Sequence, residues 1–151
     1  MNIFDTMRVM QKDKITIFTD GGSRGNPGIA GAGAIIFDAE GDELKTAYKF
    51  LGLQTNNWAE YEAVILGLET AQKIFGKKLS EMIVEVKMDS QLVQRQLKGE
   101  YKIKVVTLRE QYIRVHNLIV KYFPNVKFTY IPREENKRAD ELANEAMDKE
   151  I

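Results

Sequence analysis

Four carboxylates stand where the sequence changes from one element to the next. Asp20 ends an apolar run and precedes two glycines; Asp89 ends another and precedes Ser90. Glu60 and Asp140 fall in the first turns of two helical segments. In open α/β sheets, sites form beyond the carboxyl ends of the strands, so these four side chains could converge. Carboxylates within about 4–6 Å repel one another and take up protons near neutrality unless a cation intervenes. Hard divalent cations prefer oxygen ligands, and a pair of them can activate water and steady a leaving oxygen in phosphoryl displacement. An acidic cluster therefore points to Mg²⁺ or Mn²⁺ acting on a phosphodiester. Each residue also has a local alternative. Glu60 and Asp140 suit helix dipoles, and Asp-Gly suits a turn. Glu62, Glu69, Glu81 and Glu85 read as solvated faces.

The elements that must carry these residues follow from hydrophobic periodicity. Lys14–Thr19 alternates and is rich in β-branched and aromatic residues, so it reads as a strand. A glycine-rich turn follows over residues 21–31. Ala32–Asp38 and Leu44–Leu51 are further strands, joined by a hairpin turn at Glu40, Gly41 and Asp42. Thr55 or Asn56 can cap a helix beginning within Gln54–Asn57. Its inward face is expected at Ala59, Ala63, Leu66, Thr70 and Ile74, with Gly76 as terminator. Met82–Met88 is a fourth strand, and Ser90–Leu97 a short helix ending at Gly99. Val105, Leu108, Tyr112, Val115, Ile119 and Tyr122 mark a helix that ends before Pro124. Val126–Ile131 is a fifth strand, and Asn136–Lys149 a last helix with Ala139, Leu142, Ala143 and Ala146 inward. The order β-β-β-α-β-α-α-β-α predicts an α/β fold. Its mixed five-stranded sheet has an antiparallel 1-2-3 meander plus parallel strands 4 and 5, and helices flank it. One domain is expected over 14–148, after an N-terminal extension at 1–13.

Composition narrows the chemistry. The 151 residues include no cysteine and one histidine, His116. Disulfides, Cys-ligated zinc, Cys nucleophiles and multi-His centres are excluded. The longest uncharged run, Gly25–Phe37, has 13 residues, too few for a membrane span of about 20. Asp5 and Arg8 interrupt the apolar start, so no signal peptide is expected and the default location is cytoplasmic. The 22 basic and 22 acidic side chains cancel, but unevenly: residues 93–127 hold eight basic and two acidic ones. That stretch suits a polyanion partner.

Together, 19-TDGGSRGNPGIAGAG-33, 55-TNNWAEYEA-63, 88-MDSQLV-93 and 131-IPREENKRADELAN-144 resemble type 1 ribonuclease H. The resemblance spans nearly the whole chain. It implies the ribonuclease H-like fold and an endonuclease cutting the RNA strand of RNA/DNA hybrids, leaving 5′-phosphate and 3′-hydroxyl ends. It implies two Mg²⁺ ions, replaceable by Mn²⁺, on Asp20, Glu60, Asp89 and Asp140. It implies substrate contacts from Gly21, Ser23, Gly25, Asn26, Thr55, Asn56 and Gln91, and a monomer needing no protein partner. Integrase or transposase cores share the fold but not these loops, and a binding-only module would have lost a carboxylate.

Two departures stand out. The family's common bacterial form carries a histidine in the loop before the last carboxylate, and residues 131–139 contain none. Arg133, Glu134 or Glu135 could substitute, with Glu134 or Glu135 expected to assist turnover; His116 reads as a partly packed helix residue. The basic protrusion of that form is reduced to 97-LKGEYKIK-104. Lys98, Lys102 and Lys104 are its remaining charge, either solvated or on phosphates, and Tyr101 could flank a groove. Trp58 reads as packing at a helix start.

Overall fold

The computed structural model describes residues 13–149, so the expected extension, Asp13 apart, lies outside the described residues. Five strands form one sheet in the order β3-β2-β1-β4-β5. They are β1 Lys14–Arg24, β2 Gly28–Phe37, β3 Glu43–Gln54, β4 Ile83–Met88 and β5 Val126–Tyr130. β1, β2 and β3 pair antiparallel, while β4 joins β1, and β5 joins β4, in parallel. The helices are α1 Asn56–Phe75, α2 Gln91–Leu97, α3 Val106–Tyr122 and α4 Lys137–Asp148. This is the mixed α/β architecture expected from the sequence. Two short 3₁₀ turns, Gly76–Glu81 and Arg133–Glu135, were not foreseen.

One face of the sheet carries the main core. Ile15, Ile17, Val84 and Val86 meet Tyr61, Val64, Ile65 and Leu68 of α1, and Val93, Leu108 and Val115 close the cluster from α2 and α3. α4 crosses the opposite face, with Ala139, Leu142, Ala143 and Ala146 buried as expected. α4 has one apolar stripe and obeys helical periodicity. α1 does not, because sheet and α3 enclose it from two sides. Its buried set runs Ala59, Glu60, Tyr61, Glu62, Ala63, Val64 and Ile65 without a break, while the expected inward residue Ile74 is 44% exposed. Glu62, expected on a solvated face, is 3% exposed. Val105, expected to pack inward, precedes α3 and is exposed.

The glycine-rich segment is not the long turn expected. Strand pairing continues from Asp20↔Gly33 to Arg24↔Ile29, and only residues 25–27 turn, with Gly25 at φ 100°. The glycines are there because helices press on the sheet backbone. A Cβ on Gly21 would lie 2.0 Å from the Ala59 carbonyl oxygen, and one on Gly33 would lie 2.6 Å from that of Ala139. Gly33→Ala is therefore expected to push α4 off the sheet and cost about 1–3 kcal/mol. Gly22→Ala, whose Cβ would have 3.4 Å to its nearest neighbour, should leave the melting temperature near wild type; thermal melts of both variants check this.

Candidate active site

Sheet register brings the first two carboxylates together. Thr19 is the parallel partner of Met88, so the next residues, Asp20 and Asp89, leave the ends of neighbouring strands side by side. Glu60 comes from the second turn of α1, whose backbone packs against β1 at Gly21. That helix starts cleanly because the Thr55 hydroxyl accepts from the Trp58 N–H at 3.3 Å. Carboxylate oxygens of Asp20, Glu60 and Asp89 all lie within 4.8 Å of one another. Asp140, in the first turn of α4, borders the same cavity of about 380 Å³, but its oxygens fall outside that triad. The four sequence candidates thus share one site, in which Asp140 is close enough to hydrogen-bond with Asp20.

This cluster is electrostatically unfavourable by itself. Asp20 and Glu60 are 8% and 6% exposed. Burial, then the charges of Asp89 and Asp140, push the Asp20 carboxyl up to about 8. Burial raises Glu60 well above the usual carboxylate range, with Asp20 and Asp89 adding to the effect; the Gly21 backbone N–H and the Arg133 charge oppose it. Burial raises Asp89 as well, against hydrogen bonds from Asn136 and Asp20. A folded protein whose Asp20 keeps its proton to about pH 8 binds more protons than its unfolded chain above pH 4. Its stability therefore falls as pH rises between those values. A hard cation reverses the penalty. The donor set is all carboxylate oxygen, close and converging, and fits Mg²⁺ or Mn²⁺.

Around the carboxylates, the substrate candidates divide by distance from the cavity. Gly21, Ser23 and Asn56 line it. The Ser23 N–H donates to Asn56 Oδ1 at 3.2 Å, and the Asn56 N–H to Asn26 Oδ1 at 3.0 Å. These bonds fasten the β1–β2 turn, including Gly25, to the start of α1. Thr55 serves as the cap, and Gln91 opens α2 in an exposed position two residues past Asp89. Arg133 borders the cavity, whereas Glu135 borders a separate one of about 140 Å³ beside Phe18 and Arg138. Lys98, Lys102 and Lys104 lie away from the carboxylates. Lys98 pairs with Glu100 at 3.3 Å; Lys102 and Lys104 line a groove with Asn57 and Tyr101, over which Arg95 stacks. His116 is exposed, stacked on Tyr112, at a third cavity between α2, α3 and β5.

Sequence reasoning misses Asn136, which reads only as a helix start. Its side chain makes no cap bond. Instead Nδ2 donates to the Thr19 carbonyl at 2.9 Å and to Asp89 Oδ2 at 3.4 Å, tying the ends of β1 and β4 to α4. Its position four residues before Asp140 was the available signal. Arg24 was missed too. It joins the end of β1 to Asn144 and Asp148 of α4, at 3.2 and 2.8 Å.

Comparison with known proteins agrees with this fold. Residues 18–146 match a family model described as "Reverse transcriptase-like". A ribonuclease HI of Halobacterium salinarum is 38% identical over 147 residues, which is 95% of this chain and 71% of that protein. A bifunctional protein of Mycobacterium tuberculosis is 40% identical over 136 residues, but the chain spans only 36% of its length. Among solved structures, a ribonuclease H1 isolated from compost by a metagenomic approach superposes with a TM-score of 0.86 at 52% identity, covering 91% of this chain and 97% of that one. The structure of that enzyme in complex with an RNA/DNA hybrid gives the same TM-score at 51% identity, covering 89% and 97%. With a family model over most of its length, and relatives sharing both its sequence and its sheet, the chain belongs to the type 1 ribonuclease H family.

Proposed function

We propose that the protein is an endonuclease that hydrolyses the RNA strand of RNA/DNA hybrids in a reaction dependent on divalent cations. The observation that carries this is the close triad of Asp20, Glu60 and Asp89, whose burial opposes the charged form unless cations are bound. The related compost enzyme solved with an RNA/DNA hybrid supports the choice of substrate.

In this reading Asp20 would contribute to both of two cation positions, Glu60 and Asp89 to one and Asp140 to the other. Mg²⁺, or Mn²⁺ in its place, would supply there the charge that favours attack of water on the phosphate and offsets charge on the departing oxygen. With water as nucleophile, the ends are a 5′-phosphate and a 3′-hydroxyl. Backbone groups around Ser23 and Gly25 face the RNA 2′-hydroxyls, the feature that separates RNA from DNA. Asn26, Thr55, Asn56 and Gln91 hold the sugar-phosphate backbone. Arg133, rather than Glu134 or Glu135, takes the place of the missing loop histidine, since its charge reaches both Glu60 and Asp89. All these groups belong to one copy of the chain, which suits a monomer.

The test is a panel of labelled RNA/DNA hybrid, double-stranded RNA, double-stranded DNA and single strands, each with Mg²⁺, Mn²⁺ or EDTA. Hybrid should be cut and EDTA should stop it. Asp89→Asn should lower kcat by about 100-fold or more while still binding hybrid. Binding without cleavage by the wild type would instead indicate a binding module. A second expectation concerns the basic stretch. Replacing Lys102 and Lys104 with Ala should raise KM and reduce the slope of log affinity against log salt by about 0.7–0.9 per lost phosphate contact. Lys98→Ala should change it least, because Glu100 lies 3.3 Å from that charge and competes with phosphate for it. Filter-binding titrations at several salt concentrations measure both.

A further inference from the structure

Glu60, Tyr61 and Glu62 are consecutive in α1, and all three are buried. Helical geometry aims them in different directions at about 100° per residue. Glu60 faces the carboxylate cluster. The Tyr61 hydroxyl donates to Gln96 Oε1 at 2.7 Å, binding α1 to α2. Glu62, turned about 200° from Glu60, faces α3 and β3. There Gln111 Nε2 donates to Glu62 Oε1 at 3.1 Å, Arg114 Nη1 pairs with the same oxygen, and Lys49 Nζ lies 3.7 Å from Oε2. Gln111, only 2% exposed, also donates to the Trp58 carbonyl at 3.4 Å and accepts from Arg114 at 2.7 Å. Its amide thus grips α1 at residues 58 and 62, on either side of Glu60.

A buried carboxylate so placed is poor value as a stabiliser, since apolar packing of the same volume commonly does as well or better. What it adds is direction. Each hydrogen bond fixes a distance between α1 and its neighbour, where apolar side chains would let the helix slide or roll. The triad at the opposite face is sensitive to such movement.

We infer that Gln111 and Glu62, with Arg114, form a positioning network that sets the depth at which α1 presents Glu60 to the cation site. This rests on the reading of Asp20, Glu60 and Asp89 as cation ligands. None of the three network residues lines the carboxylate cavity. They act through the seating of α1, as outer groups that orient metal ligands commonly do.

The experiment is calorimetric titration of Mn²⁺ alone into the full chain, well below its melting temperature, with no nucleic acid present. Gln111→Met keeps side-chain length and apolar packing but loses the amide; Glu62→Gln keeps the shape but loses the charge. Both should bind Mn²⁺ more weakly than wild type by about tenfold or more. Leu118→Ala, which trims α3 where it packs on the core outside the network, should lower the melting temperature and leave Mn²⁺ affinity unchanged. Affinities for Gln111→Met and Glu62→Gln both within about threefold of wild type overturn the inference, as does an equal loss in Leu118→Ala. A wild type that binds no Mn²⁺ removes the cation reading and this inference together. A wild type that binds Mn²⁺ but does not cut hybrid removes only the proposed reaction.

Discussion

The burial of Asp20 and Glu60 beside a half-buried Asp89 is the constraint on which this structure turns. Asp20, Glu60 and Asp89 are brought within 4.8 Å of one another, where burial alone already opposes ionisation. Nothing local would hold them there. The parallel register of β1 and β4 holds two of them, and the packing of α1 on Gly21 holds the third. The hydrophobic core beneath offsets the cost. The site is thus a region of low stability carried by the rest of the fold, as functional sites often are.

That constraint explains why the surroundings are cross-linked so heavily. Asn136 bridges two strand ends and α4, and Asn26 and Asn56 join the β1–β2 turn to α1. Arg24 fastens the end of β1 to α4. Each link fixes one element of the site against another. The glycines contribute differently. By omitting Cβ atoms at positions 21 and 33, they let α1 and α4 approach the sheet backbone from opposite faces.

Much of this was legible in the sequence, for identifiable reasons. Strand alternation in KITIFT and the single apolar stripe of α4 gave the elements, and four acidic residues at element ends gave the site. Several misreadings fall where two neighbours enclose one element. α1 lies between the sheet and α3, so helical periodicity could not show that Glu62 is inside or that Ile74 is outside. The segment from Gly21 to Gly31 carries turn-like composition because helices cross it, not because the chain turns there. Asn136 read as a cap because its partners, Thr19 and Asp89, are distant in sequence. The place of Arg133 at the cavity, with Glu135 beside another, depends on a 3₁₀ turn that three residues cannot announce.

The central claim is that the carboxylate cluster is strained alone and relieved by a divalent cation. Thermal melting of the wild type and Asp20→Asn at pH 9, above the point at which Asp20 gives up its proton, tests this most directly. In EDTA the variant should melt several degrees higher than the wild type, because one buried charge has been removed. Adding Mn²⁺ should stabilise the wild type and leave the variant nearly unmoved. A variant that melts lower than wild type in EDTA, or a wild type indifferent to Mn²⁺, would contradict the account.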